Sequence, residues 1–536
     1  MPTLNWIGKE KVVNHHQDVP YRVLDHKYGF TANLTEGTGQ ESEQPTESGN
    51  KIIHGDNLKA LKSLLPEYEG KVKCIYIDPP YNTGNESWVY NDNVNHPKIK
   101  KWLGEVVGKD GEDLTRHDKW LCMMYPRLKL LHKLLANDGT IFISIDDNEV
   151  SNLIQIANEI FGMRNFISDI IWNSRKSVSN DAIISLNHNH TLVYSKSIKT
   201  FYEKKSEFKL KTSPDGFANP DNDPKGIWKA DPFDSPGIRP NLTYKIKNSN
   251  TGEEYMPPKG RCWRTGPEEY QVFLAQGRIV FGKNGTSKPQ LKRYYSEAKD
   301  KGRTTKSLWD DVGTATNGTK EIQEIFGSKI FDTPKPTTFI EQIIDLAAYD
   351  DSIILDSFAG SGTTAHAVLN LNKQDGGNRK FILVEMEDYA NDITAERVKR
   401  VANGYGTGNK EIEGTGGNFD YYELGLPLFD ENQNLNEQVG IEKIREYIWF
   451  SETRTSFKEP NIKEDCLFLL GKKEEAVYYF IYEKEVLTTL DFDTLSTIKT
   501  KGEQYVIYAD NCLLPKEFMA KNNIIFKKIP RDITRF

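Results

Sequence analysis

A chain of 536 residues is long enough for about three or four domains. Its 37% hydrophobic and 27% charged content is that of a folded protein with a broad wetted surface, and no apolar run nears the roughly 20 residues that span a bilayer, which excludes a helical membrane protein. The net charge of −7 does not announce a polyanion partner, so the distribution of charge has to decide that question.

Residues 1–49 read as an arm, with Thr35–Asn50 rich in Gly, Ser, Thr, Glu and Gln and expected to be mobile. Residues 50–199 alternate apolar strands with amphipathic helices, the rhythm of an α/β core. Ile52–His54 is a short strand, and Leu58–Leu65 has helical apolar spacing. Asp56 stands where it caps that helix or meets a ligand. Val72–Ile77 then forms a buried strand that stops at Asp78-Pro79-Pro80-Tyr81. A carboxylate there accepts from an amine, each proline offers a carbonyl with no competing N–H, and the tyrosine offers a flat face. That is a slot for an exocyclic amine on an aromatic heterocycle such as adenine, although the same tetrapeptide also occurs in plain turns.

Residues 82–119 form a long polar connection containing Trp88, Tyr90 and Trp102, and loops of that length in a compact domain are functional or disordered. Leu121–Leu135 is an amphipathic helix, Thr140–Ile145 a strand and Val150–Phe161 a helix, and Ile167–Trp172 with Thr191–Ser195 suit a hairpin. Residues 200–310 lose this rhythm. Within residues 200–308 there are 21 Lys and Arg against 13 Asp and Glu, a local +8 in an acidic chain, with Trp228, Trp263, Tyr294 and Tyr295 interspersed. Basic and aromatic residues together suit phosphate and base contact, while most of those rings are expected to fill a small core.

Residues 311–404 resume the α/β pattern. Phe339–Ala348 is a helix whose apolar face is expected to pack on the sheet. Ile353–Asp356 leads through Ser357, Phe358 and Ala359 into Gly360-Ser361-Gly362-Thr363-Thr364, which reads as strand, tight loop and helix start. Gly360 and Gly362 allow close backbone approach, and the helix start at Thr363 and Thr364 suits an anion. The strand Lys380–Val384 ends in Glu385, an acidic residue placed to meet ribose hydroxyls. A dinucleotide site is the rival reading. The third glycine is missing, however, and the threonines together with Asp78–Tyr81 favour S-adenosylmethionine. Residues 405–536 read as an accessory domain with strands at Tyr478–Tyr482 and Tyr505–Tyr508. The cysteines Cys74, Cys122, Cys262, Cys466 and Cys512 have no metal or redox spacing, and the N-terminus has no basic-then-apolar pattern, so a reduced, cytoplasmic setting is expected. His15-His16 and His188-Asn189-His190 are read as local hydrogen-bonding groups, and no metal is expected.

The motifs together resemble the N6-adenine DNA methyltransferases of β order, in which the amine-binding motif precedes the cofactor motif. Within that group they are similar to the modification (Mod) subunits of Type III restriction–modification systems. Trp6–His16, His54-Gly55-Asp56-Asn57, Trp120–Leu128, Asp138–Asp147, Phe331-Asp332-Thr333-Pro334-Lys335-Pro336, Gly417–Tyr422 and Phe526–Ile533 carry the likeness beyond the two central motifs. The resemblance implies one Rossmann-like sheet assembled from residues 50–199 and 311–404, with a target-recognition domain at 200–310 and a C-terminal accessory domain at 405–536. It implies Asp78, Pro79, Pro80 and Tyr81 as the catalytic set. It implies Asp56, Phe331, Lys335, Pro336, Asp356, Phe358, Gly360, Gly362, Thr363, Thr364 and Glu385 around S-adenosylmethionine, with Asp356 possible as a loop-positioning group only. Double-stranded DNA, a second copy of the chain and a restriction helicase–nuclease subunit are the implied partners, in a cytoplasmic, nucleoid-associated setting, and the 82–119 connection is expected to close over DNA.

The implied chemistry is positioning. Asp78 and the Pro79 carbonyl each accept one N6–H of a flipped adenine, turning the lone pair toward the methyl, and Asp78 takes the proton after transfer; Tyr81 stacks the base. N4-cytosine methylation, RNA methylation and a catalytically dead recognition subunit are the competing readings.

Overall fold

The computed structural model describes residues 3–34, 38–83, 101, 104–106, 116–460 and 468–534. Trp88, Tyr90, Trp102 and Cys466, and with them most of the expected closing loop, lie outside the described residues. The chain divides into two compact units, residues 206–305 and the remainder. Among the described residues no helix is long and apolar enough to cross a membrane.

The larger unit is built on an eleven-stranded sheet. In chain order its strands are β1 (Arg22–Thr31), β2 (Gln40–Ser42), β3 (Lys51–His54), β4 (Val72–Ile77), β5 (Leu135–Ile145), β6 (Phe166–Trp172), β7 (Asn189–Ser195), β8 (Leu308–Trp309), β9 (Ile353–Asp356), β10 (Lys380–Glu385) and β11 (Asn418–Pro427). Their order across the sheet is 8-6-7-5-4-9-10-3-11-1-2, and the six central strands from β5 to β11 run parallel. Such strands are covered on both faces and therefore read as nearly unbroken apolar runs. In β4 the sequence Val-Lys-Cys-Ile-Tyr-Ile is buried throughout except at Lys73. The covering helices include α1 (Asn57–Tyr68), α2 (Arg116–Leu134), α3 (Val150–Ala157), α4 (Thr337–Ala347), α5 (Thr363–Asp375) and α6 (Glu396–Asn403). The apolar face of α4 does pack on the sheet: Phe339 lies 4.7 Å from the Trp172 ring and 6.2 Å from that of Tyr76.

Strand order reverses between β4 and β9. The chain proceeds from β4 to β5 on one side and from β9 to β10 on the other, so the connections diverge and leave a crevice at the carboxyl ends of the two strands. Ligands of open α/β sheets occupy that crevice. Residues 74 and 75 pair with 354 and 355, so two stretches 280 positions apart are hydrogen-bonded neighbours.

Two expectations about the ends of the chain are corrected. Residues 1–49 are not a loose arm, because β1 pairs along its length with β11, and β2 pairs with β1. The Ser/Thr-rich stretch that follows is tied to the sheet: the Thr46 N–H and hydroxyl donate to Asp420 at 2.8 Å each, and Asn50 donates to the Asn418 carbonyl at 2.8 Å. Nor does an accessory domain begin at 405. β11 lies inside the main sheet, and the helix Ile441–Thr453 and the four-stranded sheet from Leu469–Lys473 to Ile524–Lys528 contribute Tyr447, Phe450, Phe480 and Tyr508 to the same continuous core.

The smaller unit has its own core of Phe233, Ile246, Trp263, Tyr270, Ile279 and Phe281. Trp263 and Tyr294 are fully buried, so these two of the four aromatic residues singled out in the sequence are structural. Lys292 is buried between Asp221 and Asp223, and Asp234 takes both Arg261 and Lys288, so part of the unit's positive charge is neutralised internally.

Candidate active site

β4 delivers Asp78 to the crevice, and the two prolines hold the turn that follows. The Pro80 carbonyl accepts from the buried Trp120 indole at 2.7 Å, which ties the turn to α2. Asn82 then takes a left-handed backbone, φ 59°, and its amide donates to the Arg116 carbonyl at 3.2 Å and to Glu149. Glu149 is fully buried and also bonds His117 at 2.6 Å and Asn152 at 2.7 Å. The tetrapeptide is thus anchored at its far end by a carboxylate from the start of α3.

Lys335 is the centre of the arrangement. Its ammonium pairs with Asp78 Oδ2, lies 5.2 Å from the Tyr81 ring centroid and 6.0 Å from that of Trp172. Its backbone carbonyl accepts from Thr363 at 3.3 Å. One residue therefore joins the Asp-Pro-Pro-Tyr turn to the glycine loop. Asp78 Oδ1 is buried and makes no hydrogen bond of normal length among the described residues, with the Tyr81 hydroxyl interacting with the same carboxylate.

The glycine loop follows β9. Asp356 is buried, and its carboxylate accepts from the Thr364 hydroxyl at 2.6 Å and the Phe358 N–H at 3.0 Å, so it fastens both sides of the loop. Burial pushes its carboxyl up to about 7. Gly360 has φ 52°, and a Cβ there would sit 3.2 Å from the Phe331 ring; Gly362 has φ 80°, and a Cβ would meet the Thr394 carbonyl at 2.9 Å. Both positions need glycine for its backbone freedom and for space. Glu385 closes the loop from β10: Oε2 accepts from the Gly360 N–H at 2.7 Å, and Oε1 accepts from the N–H groups of Met386 and Glu387 at 2.8 and 2.9 Å. Burial again outweighs these donors and pushes the Glu385 carboxyl up to about 7.

A pocket brings the two motifs together. Pro80 from the first, Ser357 and Phe358 from the second, and Glu385, Asn57 and Arg127 share its wall. Asp56 does not line it; Asn57 does. Asp56 caps α1 by accepting from the Lys59 N–H at 3.0 Å, with the Arg127 guanidinium 3.8 Å from its other oxygen. Pro336 is the N-cap of α4, and Phe331 stands edge-on to Tyr389 at 5.7 Å.

Several residues at the site carry no sequence signal. Arg397 on α6 is fully buried; it donates to Ser361 at 3.0 Å, Thr363 at 2.7 Å and Thr337 at 3.2 Å, and lies 3.1 Å from His366 Nδ1. Burial and that guanidinium hold the imidazole neutral, so Nδ1 accepts. The Thr394 hydroxyl donates to the Gly360 carbonyl at 2.6 Å. An arginine or threonine on a helix reads as a solvent-facing residue until its partners are known. His190 bonds Asp169 at 2.7 Å and Asp147 at 3.2 Å.

Comparison with known proteins agrees with this geometry. The family model described as "DNA methylase", for N6 and N4 methylases, matches residues 72–396. The chain is 37% identical over 388 residues to the Type III restriction-modification enzyme StyLTI Mod subunit of Salmonella typhimurium, covering 66% of this chain and 57% of that protein. It is 30% identical to the EcoP15I Mod subunit of Escherichia coli, covering 76% and 67%, and 36% identical to the Type II methyltransferase M.KpnI of Klebsiella pneumoniae, covering 69% and 89%. The match thus spans little more than half the length of the StyLTI subunit. With the family model matched over more than half of its length, across both halves of the crevice, this chain belongs to the N6/N4 family of DNA methylases.

Proposed function

We propose that this protein transfers a methyl group from S-adenosylmethionine to N6 of an adenine flipped out of duplex DNA, as the modification subunit of a Type III restriction–modification system. The observation that carries the reading is the state of Asp78. One oxygen is fixed by Lys335, and the other is buried and makes no hydrogen bond of normal length among the described residues, in the crevice that also holds the glycine loop. Burying an unpaired carboxylate oxygen is costly, so such an atom marks where a donor docks.

The residues of the crevice suit the cofactor. The Ser357 hydroxyl is buried with no partner among the described residues, Phe358 offers an apolar wall, and Glu385 Oε2 has one protein donor and capacity for another. The loop Gly360–Thr364 and the start of α5 suit a carboxylate. When bound, S-adenosylmethionine supplies an electrophilic methyl on sulfur. Everything else falls to the chain. Asp78 Oδ1 and the Pro79 carbonyl accept the two amine hydrogens and turn the nitrogen lone pair out of the ring plane; Asp78 then takes the proton. Tyr81 stacks the extruded base. Alignment of this kind is worth up to about 7–11 kcal/mol.

Residues 206–305, with 18 Lys and Arg against 12 Asp and Glu, are the segment we assign to target recognition. The matches to Mod subunits support a restriction subunit as partner; a second copy of the chain in the working assembly and a cytoplasmic, nucleoid-associated setting are further parts of this proposal. The test is to incubate purified protein with S-adenosylmethionine and unmethylated DNA, digest the product to nucleosides, and sequence it for methyl position. N6-methyladenine at one short motif is expected. N4-methylcytosine, or no methylated nucleoside, would refute the assignment.

A further inference from the structure

We propose that the loop joining β6 to β7 is a wedge that enters the duplex where the target base has left it. The inference deepens the methyltransferase reading and rests on it. The loop leaves β6 at Trp172, whose ring lies 6.0 Å from the Lys335 ammonium that pairs with Asp78. It therefore rises from the wall of the acceptor slot. Its outer part displays Val178, Ile183, Ile184 and Leu186 to solvent; Ile183 is 104% exposed and Ile184 79%. Single exposed apolar residues are ordinary, but four within the sixteen residues of one loop mark a surface that something covers.

The loop is braced from within. The Arg175 N–H donates to the Asn187 carbonyl at 3.1 Å, Ser174 to Asn189 at 2.6 Å, and the Ser179 N–H to the Ser185 hydroxyl at 2.9 Å. At its root His190 is held between Asp169 and Asp147. A braced loop presents its tip without having to order it on binding. Arg175 and Lys176 stand exposed on its shoulder. Cations beside an apolar tip suit a duplex, with phosphates for the cations and the gap between base pairs for Ile183 and Ile184. An enzyme that extrudes a base must offset lost stacking, and an inserted aliphatic side chain does so.

The test uses the full-length protein and two duplexes carrying its methylated motif, one fully paired and one with an abasic site opposite the target adenine. In the second, extrusion breaks no base pair. Ile183→Ala with Ile184→Ala is expected to lower kcat/KM on the paired duplex by about tenfold or more, with a far smaller loss on the abasic one. Ile184→Phe, which keeps an insertable side chain, is expected to retain activity on the paired duplex. The fluorescence of 2-aminopurine at the target position should rise less with the double variant than with the unaltered protein. Unchanged rates on the paired duplex would overturn the wedge. So would an equal loss on both duplexes, or a loss of self-association in sedimentation with methylation intact, which would make the tip a protein-docking surface. Failure of the unaltered protein to methylate any DNA would overturn the methyltransferase reading and the wedge with it.

Discussion

Asp78→Ala separates chemistry from architecture when it is compared with Lys335→Met. The pair is mostly shielded, with side-chain exposures of 27% for Asp78 and 9% for Lys335. Removing the carboxylate strands an ammonium that water barely reaches. Breaking a fully buried pair costs about 3–5 kcal/mol, and the water admitted at Asp78 reduces that to about 1–3. Lys335→Met removes the other half of the pair and is expected to destabilise by a similar amount. The two differ in catalysis. Asp78→Ala deletes an acceptor for the amine, a charge-assisted hydrogen bond worth about 1.5–3 kcal/mol, so kcat falls by about tenfold to over a hundredfold. Lys335→Met leaves both oxygens of Asp78 in place, and its kcat loss should be several times smaller. Steady-state methylation kinetics, calorimetric affinity for S-adenosylmethionine and urea midpoints measure all three quantities, and Asp78→Ala should leave the affinity within about threefold. The double variant should recover stability without recovering rate. Equal kcat losses in the two single variants, reversed in the double, would reduce the pair to a structural clip and refute the role given to Asp78.

Arg397→Met withdraws a buried cation from Ser361, Thr363 and Thr337; it should destabilise the protein by about 3–5 kcal/mol in urea titrations and weaken S-adenosylmethionine more than DNA. Glu385 holds its proton up to about 7 in the folded state, against an ordinary 4.5, so the unfolded chain ionises first and stability falls as pH rises from about 4.5 to 7. In Glu385→Gln that part of the pH dependence, worth up to about 3 kcal/mol, should vanish from the unfolding free energies, and an unchanged slope would remove Glu385 as its source. S-adenosylmethionine affinity should rise with pH up to about 7 in the unaltered protein and rise less in that variant, in which Asp356 still titrates, as read by calorimetry at constant ionic strength. Exchanging residues 206–305 for the corresponding segment of another family member should move the methylated motif in sequenced DNA while leaving the methylated atom unchanged.

What the sequence discloses and what it hides divide along a physical line. The crevice motifs are legible because each combines an apolar strand with backbone punctuation at its end: Val72–Ile77 before two prolines, Ile353–Asp356 before two glycines. Periodicity and turn chemistry are local, and local signals survive in one sequence. β1 is not legible. Its residues Arg22 to Lys27 are only half-buried or exposed, so alternation is diluted by charge, and its partner β11 lies almost 400 residues away. Asn82, Glu149 and Arg397 are hidden for the opposite reason. They are polar groups buried by tertiary partners, and polarity in a sequence reads as solvent. Lys335 lies between these cases. The motif around it is visible, but nothing in Asp-Thr-Pro-Lys-Pro says that its ammonium reaches Asp78.

That contact explains how the order of motifs along the chain is irrelevant to the chemistry. Parallel strands are joined by crossovers, so strands that neighbour in the sheet need not neighbour in sequence. β4 and β9 become adjacent because their connections leave in opposite directions, and the crevice belongs to the reversal rather than to either motif. A large insertion is then harmless where the connection runs at the sheet's edge. The smaller unit departs after the helix Ile198–Glu203 and ends before β8, the outermost strand on that side, so no central strand is interrupted. Its entry and exit are clasped by reciprocal backbone bonds between Leu210 and Arg303, at 3.0 and 2.9 Å. A unit closed on itself in this way, with its own apolar core, can change sequence without disturbing Asp78, Lys335 or the glycine loop. If residues 206–305 carry recognition as proposed, recognition and transfer vary independently within one chain, and a segment exchange that abolished all methylation in a folded protein would contradict that independence.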